Sequence, residues 1–261
     1  MSIWLPKINR EPDNRPPIHG PAQPATQLFC FPHAGGGVAN YHRWDRLLPD
    51  WIDLLPVKLP GRESRFNEPA VGNLHELLDR MVPAIVDHIR EPFAMFGHSM
   101  GGLIAYELTV RLQQHGLQPQ VLFLSACRAP HRFNNATTKT KLHTLPDDEM
   151  IEYLARDYGK GGKLSNDESQ MMLLMSNTIR ADLKLLETYE HSGHEPLSIP
   201  IMGLAASEDR KVTLEDVSGW REHTSGSFKL RTIPGHHFYL REQEKSLAAL
   251  VAATLTNLTT K

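Results

Sequence analysis

The chain has 261 residues, with 28 basic and 30 acidic side chains and a formal net charge of −2. That length suits one large α/β domain with a substantial core, and the balanced charge removes any global electrostatic case for nucleic acid or anionic membrane as a partner. Cys30 and Cys127 are too few for a disulfide framework, and nowhere do eighteen apolar residues run together as a membrane-spanning helix would need.

Residues 1–25 hold six of the nineteen prolines and no apolar h-region. They read as an extended, poorly ordered arm, not as a secretory signal, and the protein is expected in the cytoplasm. From Thr26 the pattern turns periodic. "TQLFCF" reads as a strand running into the glycine-rich "PHAGGG", and "WIDLLPVKL" as a second strand. "LHELLDRMVPAIVDHIR" reads as a helix with a kink at Pro83. "PFAMF" and "QVLFLSA" are strands on either side of the helix that begins after Ser99. "IPIMGLAA" is a strand, "LEDVSGWREHT" a helix, "SFKLRTI" a strand and "EKSLAALVAATL" the closing helix. Alternating strands and helices predict a mainly parallel sheet covered on both faces. Residues 128–195 break the alternation with helical stretches such as "LPDDEMIEYLARDYG" and "DESQMMLLMSNTIRADLKLLETYEH", and read as a helical cap inserted between two strands. Met171, Met172 and Met175 would either line an adaptable acyl pocket or pack within that cap.

"FGHSMGG" carries the chemistry. A lone G-x-S-x-G is weak evidence, but here a short apolar strand precedes it and a helix with apolar Leu103, Ile104, Tyr106, Leu108 and Leu112 follows. Strand, G-x-S-x-G and helix is the setting of a nucleophile elbow, where Gly97 and Gly101 remove clashes at a strained serine. A serine hydroxyl needs a histidine base, and the base needs a carboxylate to fix its tautomer. On such a sheet the order is Ser, then Asp or Glu, then His. The chain supplies Glu208 and Asp209 after "IPIMGLAA", and His236 and His237 after "SFKLRTIPG"; spacing does not choose within either pair. One oxyanion-hole amide is expected at Met100, the other in "PHAGGG", which lacks the Lys-Ser/Thr ending of a phosphate-binding P-loop. His98, inside the elbow, reads as a packed structural residue. The fourteen histidines are scattered without ligand spacing, so no metal site is expected.

Together, "FPHAGGG" followed by "YHRW", "LPGRESRFNEP", "FGHSMGGLIAYEL", "RAPHR", "LHTLPDDEM", "IRADLKLLETYEH" and "PGHHFYL" resemble the type II thioesterases of nonribosomal peptide and polyketide assembly lines, from about residue 26 to residue 258. The resemblance implies an α/β-hydrolase fold, a mostly parallel central sheet flanked by helices, with the lid insertion at about 128–195 in a domain spanning 26–261. It implies Ser99 as nucleophile, His237 as base because it precedes Phe-Tyr, Asp209 as the orienting acid, and the backbone amides of Ala34 and Met100 as the oxyanion hole. Two positions depart from the family pattern: His236 replaces a smaller residue, and Arg210 stands where proline is frequent. The implied partners are acyl or peptidyl carrier domains. The implied substrate is an acyl thioester on their phosphopantetheine arm, and the enzyme itself needs no cofactor. Acidic carriers would favour a basic lid, for which Arg128, Arg132, Lys139, Lys141, Lys160 and Lys163 are the candidates. Competing readings are a small-molecule serine carboxylesterase, and a hydrolase-fold protein that binds acyl ligands without turning them over.

Overall fold

A computed structural model describes residues 2–6, 25–133, 140–158 and 165–259. In chain order the elements are β1 (Thr26–Phe31), α1 (Trp44–Leu47), β2 (Ile52–Pro56), α2 (Leu74–Val86), β3 (Phe93–His98), α3 (Met100–Gln113) and β4 (Leu122–Ser125). There follow α4 (Asp147–Tyr158), α5 (Asn166–Leu174), α6 (Ser176–Glu187), β5 (Ile201–Ala206), α7 (Leu214–Ser218), β6 (Phe228–Ile233) and α8 (Glu244–Thr259). The six strands form one sheet in the order β2-β1-β3-β4-β5-β6, and every pairing is parallel. This is the α/β-hydrolase architecture the sequence predicts.

A sheet buried on both faces needs strands that are apolar at every position, and β1, β3, β4 and β5 are buried throughout. Side-chain alternation then divides them between two cores. Phe29, Phe93, Met95 and Leu122 face α2 and α3, whereas Leu28, Ala94, Phe96 and Phe123 face Trp44, Leu247 and Val251 of α1 and α8. Helix α3 has no single apolar stripe. Met100 to Thr109 are all buried, because the helix lies between the sheet, α2 and the chain returning from the lid.

The insertion between β4 and β5 contains α4, α5 and α6, with a small core of its own from Met150, Ile151, Ile179 and Leu183. The helical stretch at 167–191 folds as two helices that share Met175 as a cap, although no glycine or proline marks the break. Met172 and Met175 pack on the lid core, while Met171 is exposed. The predicted helix at 214–224 splits into α7 and a 3-10 turn, Gly219–His223.

The first residues differ from the expected free arm. Trp4 and Leu5 are buried in the core on the α2 side, Arg65 stacks over the Trp4 ring at 4.1 Å, and the Lys58 amide donates to the Trp4 carbonyl at 2.8 Å. An indole is large enough to hold a short segment to the body despite the prolines that follow. Residues 7–24 of that arm lie outside the described residues. Among the described residues, no helix is long and apolar enough to cross a membrane.

Candidate active site

Strand order changes direction between β1 and β3, so the loops leaving their carboxyl ends diverge and open a crevice there. Ser99 leaves β3 on one side of that crevice. Its backbone sits at φ 53° and ψ −118°, a conformation that L-residues avoid, and the Ser99 amide is held by the Ser125 carbonyl at 2.8 Å. The elbow closes tightly around it. A Cβ on Gly97 would sit 2.5 Å from the Gly102 Cα, and one on Gly101 2.5 Å from the Phe31 carbonyl carbon. Only glycine fits either place.

His237 reaches Ser99 from the loop after β6. Its Nε2 lies 2.9 Å from Ser99 Oγ, and its Nδ1 lies 2.6 Å from Asp209 Oδ2. Asp209 is fixed by the Lys211 and Val212 amides, which donate to Oδ1 at 2.9 and 3.0 Å. Burial raises the Asp209 carboxyl, but the hydrogen bond and charge of His237, with the two amides, outweigh it and hold the group below the ordinary carboxylate value. An ionised Asp209 accepts only, so Nδ1 of His237 carries a proton and Nε2 presents its lone pair to the serine hydroxyl.

The two pairs that spacing left open separate cleanly. Glu208 and His236 face each other on the surface, carboxylate to imidazole at 3.5 Å, with side chains 62% and 60% exposed. Asp209 and His237 are 1% and 7% exposed and face Ser99. Arg210 is exposed.

His98 is fully buried and holds the loop that carries His237. Its Nε2 donates to the His237 carbonyl at 3.0 Å, since a carbonyl can only accept. Burial first, and then the neighbouring His237 and His33, keep His98 neutral by lowering its pKa far below the ordinary value. Its Nδ1 therefore accepts the Ser125 hydroxyl proton at 2.8 Å, and Ser125 Oγ receives the Tyr239 hydroxyl at 2.5 Å.

On the other side of the crevice, "PHAGGG" follows β1. The His33 carbonyl accepts from the Gly36 amide at 2.9 Å. In a trans peptide N–H and C=O point in opposite directions, so the Ala34 N–H is turned away from that tight turn. Neither the Ala34 amide nor the Met100 amide at the start of α3 donates to any acceptor among the described residues. Burial lowers the pKa of His33 to about 4, so its ring is neutral; Nδ1 donates to the Ala34 carbonyl at 2.9 Å, and Nε2 accepts from Asn40 at 3.0 Å.

A cavity of about 390 Å³ opens beside Ser99 and His237, walled by Cys127, Phe133, Leu183, Leu186, Tyr189 and Val212. Lid residues thus form much of its apolar wall. Arg128 and Lys141 also reach the cavity, and Arg128 donates to the Lys211 carbonyl at 2.7 Å. Of the other basic candidates, Arg132 pairs with Glu215 at 3.1 Å, and Lys139, Lys160 and Lys163 lie outside the described residues. Burial pushes the Cys127 thiol up to about 12, which removes it as a competing nucleophile. Among the described residues, no cluster of His, Cys, Asp or Glu could hold a metal ion.

Sequence reasoning missed Tyr158, whose ring lies 5.1 Å from that of His237 at the end of α4, and it missed the contact between Arg62 and Asp182. Both arginine and aspartate sit in the quoted stretches "LPGRESRFNEP" and "IRADLKLLETYEH", but nothing in one sequence pairs residues so far apart.

Comparison with known proteins agrees with this geometry. The thioesterase domain model matches residues 26–255. Thioesterase PikA5 of Streptomyces venezuelae is 36% identical over 244 residues, covering 92% of this chain and 81% of its own. The gramicidin S biosynthesis protein GrsT of Aneurinibacillus migulanus is 33% identical over 231 residues, covering 88% of each chain. The solved type II thioesterase BorB, from the borrelidin biosynthetic cluster, superposes with a TM-score of 0.79 at 32% identity over 97% of this chain and 96% of its own. A catalytic-type relay at a strand-to-helix elbow, an apolar cavity under a helical lid and these likenesses converge: the chain belongs to the thioesterase domain family and resembles its type II members from peptide and polyketide assembly lines.

Proposed function

We propose that this thioesterase is an editing enzyme that hydrolyses acyl groups from the phosphopantetheine arm of acyl or peptidyl carrier domains, clearing stalled or wrongly primed chains. The observation that carries the reading is the Asp209–His237–Ser99 relay at 2.6 and 2.9 Å, flanked by the Ala34 and Met100 amides, which donate to no acceptor among the described residues.

Ser99 Oγ attacks the thioester carbonyl carbon while its proton passes to His237 Nε2. Asp209 stabilises the imidazolium so formed. The Ala34 and Met100 amides receive the oxyanion, and each such donor typically contributes about 3 kcal/mol to the transition state. Collapse breaks the C–S bond, and the imidazolium proton goes to the departing sulfur, giving the free pantetheine thiol. Water then loses a proton to His237 and attacks the acyl-serine. Ser99 takes the proton back as the carboxylic acid leaves. Lining the cavity with the lid's Leu183 and Leu186 gives the acyl chain an apolar seat while the pantetheine arm approaches Ser99.

The test compares an acyl thioester loaded on a carrier domain, the same acyl group on N-acetylcysteamine, and its p-nitrophenyl oxyester. The reading expects kcat/KM highest for the carrier-bound thioester and a fluorophosphonate adduct on Ser99. A preference for the oxyester points to a carboxylesterase. A protein that neither labels nor turns over any of the three is an acyl binder.

A further inference from the structure

Asp182 of α6 and Arg62 of the loop after β2 form an ion pair at 2.8 Å, with side chains 3% and 2% exposed. Each nitrogen of the guanidinium and each oxygen of the carboxylate has a directed contact. Asp182 Oδ1 accepts from Arg62 and Oδ2 accepts from the Gly35 amide at 2.8 Å. Arg62 also donates to the Gly36 carbonyl at 2.9 Å and to the Pro60 carbonyl at 3.3 Å. The pair therefore ties the lid to the loop after β1, which carries the Ala34 amide. A buried ion pair gains little net stability once desolvation is counted, so its contacts matter more than its charge.

Their effect on Ala34 follows from peptide geometry. The peptide joining Ala34 to Gly35 is planar, and it is gripped at both ends: His33 Nδ1 holds its carbonyl and Asp182 holds its N–H. The preceding peptide has its carbonyl held by Gly36, whose own carbonyl is held by Arg62. Gly35, at φ 72°, has no side chain to restrict the turn by itself. Asp182 is what holds the Gly35 N–H; without it the Ala34–Gly35 peptide keeps only the grip of His33 on its carbonyl. Helix α6 also rests on this loop through Ile179, and on the next one through Thr178, whose hydroxyl donates to the Gly61 carbonyl at 2.5 Å.

We infer that Asp182, held in place by Arg62, is a positioning residue for the oxyanion hole, so that the hole is fully formed only when this pair links α6 of the lid to the loop after β1. The inference rests on the reading of Ala34 and Met100 as oxyanion donors. Lid and catalytic centre are then one unit: a lid residue aims a backbone donor at the carbonyl that Ser99 attacks.

The test uses the full chain and a short acyl N-acetylcysteamine thioester. Three proteins are compared with wild type: Asp182→Asn, the paired variant Arg62→Met with Asp182→Leu, and Thr178→Val. The paired variant replaces a buried ion pair by apolar groups, a change that folds well in other proteins. Asp182→Asn keeps one carbonyl oxygen for the Gly35 amide. Thr178→Val removes a buried lid contact that does not touch the loop after β1. Rates are taken per folded molecule, from near-UV circular dichroism. The paired variant should lose about 10- to 100-fold in kcat at little-changed KM, and should weaken an alkyl trifluoromethyl ketone, which adds to Ser99 as a tetrahedral oxyanion, by a similar factor. Asp182→Asn should lose less, and Thr178→Val should stay within about threefold. If the folded paired variant, or folded Asp182→Asn should the pair not fold, keeps kcat and ketone affinity within threefold, or if Thr178→Val loses as much as it does, the inference is overturned. A wild-type protein that fails to hydrolyse the thioester overturns the underlying reading instead, and that measurement comes first.

Discussion

Gly101→Ala would place a Cβ 2.5 Å from the Phe31 carbonyl carbon and 2.8 Å from the Pro32 oxygen, with the Phe31 oxygen closer still. Carbon atoms pack at roughly 3.5–4.0 Å, so helix α3 and the end of β1 must separate by about 1 Å. Neither can yield by a rotamer change, because every atom concerned is backbone. Overpacking of this kind costs about 1–3 kcal/mol, which for a domain of this size lowers Tm by roughly 3–10 °C. The displacement falls at Phe31 and Pro32, where the loop carrying Ala34 begins, while α3 carries Met100. The two oxyanion donors therefore move apart, and a misplacement of about 1 Å costs on the order of 100-fold in rate. Gly116→Ala is the control: its φ is positive, at 72°, so alanine there is strained in its backbone, but nothing lies within 4 Å of the new Cβ. It should lose about 1 kcal/mol and no activity. Thermal unfolding by circular dichroism and hydrolysis of an acyl thioester followed by thiol release report the two quantities. Wild-type kcat in a folded Gly101→Ala protein would refute the argument that the elbow sets the spacing of the donors.

Ser99→Ala should abolish fluorophosphonate labelling and lower kcat by at least about a thousandfold, with the circular dichroism spectrum unchanged. His237→Ala and Asp209→Asn should be far more damaging to kcat/KM than His236→Ala and Glu208→Gln, since the latter two residues pair with each other on the surface; equal losses would mean the surface pair takes part in turnover. Trp4→Ala should lower stability by about 3 kcal/mol with kcat retained, and a denaturant midpoint matching wild type would show that the indole contributes nothing. Acid should weaken the fold before it reaches the carboxylates. Burial pushes His33 and His223 down to about 4, so in the unfolded chain they take up protons near 6.5 but in the native state only near 4. Stability is therefore intact above about pH 6.5 and falls as pH drops towards 4, by on the order of 1–3 kcal/mol for each histidine. A Tm that is level from pH 7 to 4.5 counts against this.

Much of the fold is legible because burial on two faces makes β1, β3, β4 and β5 largely apolar runs, while the edge strands β2 and β6 alternate; all six were found from pattern. The elbow is legible because the strain at Ser99 requires glycine on both sides. Local pattern stops where a choice depends on direction. Glu208 against Asp209, or His236 against His237, are neighbours on the chain, and only the path of the loop decides which faces the crevice. The Arg62–Asp182 pair is invisible for a different reason, since 120 positions separate its members. Trp4 is hidden by its setting of prolines, where composition argues for a free arm but one indole suffices to bind it. The break at Met175 is likewise unmarked, because α5 and α6 differ in what they pack against and not in their propensity for helix.

The hydrogen-bonded series from Tyr239 through Ser125 to the His237 carbonyl passes through His98, the last residue of β3 and the one before Ser99. His98 and Ser99 are adjacent, so the end of β3 locates Ser99 through a covalent bond and His237 through a hydrogen bond. Breathing of the sheet then displaces both partners together, as common-mode motion, and leaves their separation nearly constant. A proton transfer that depends steeply on distance is thereby insulated from the movements of the scaffold.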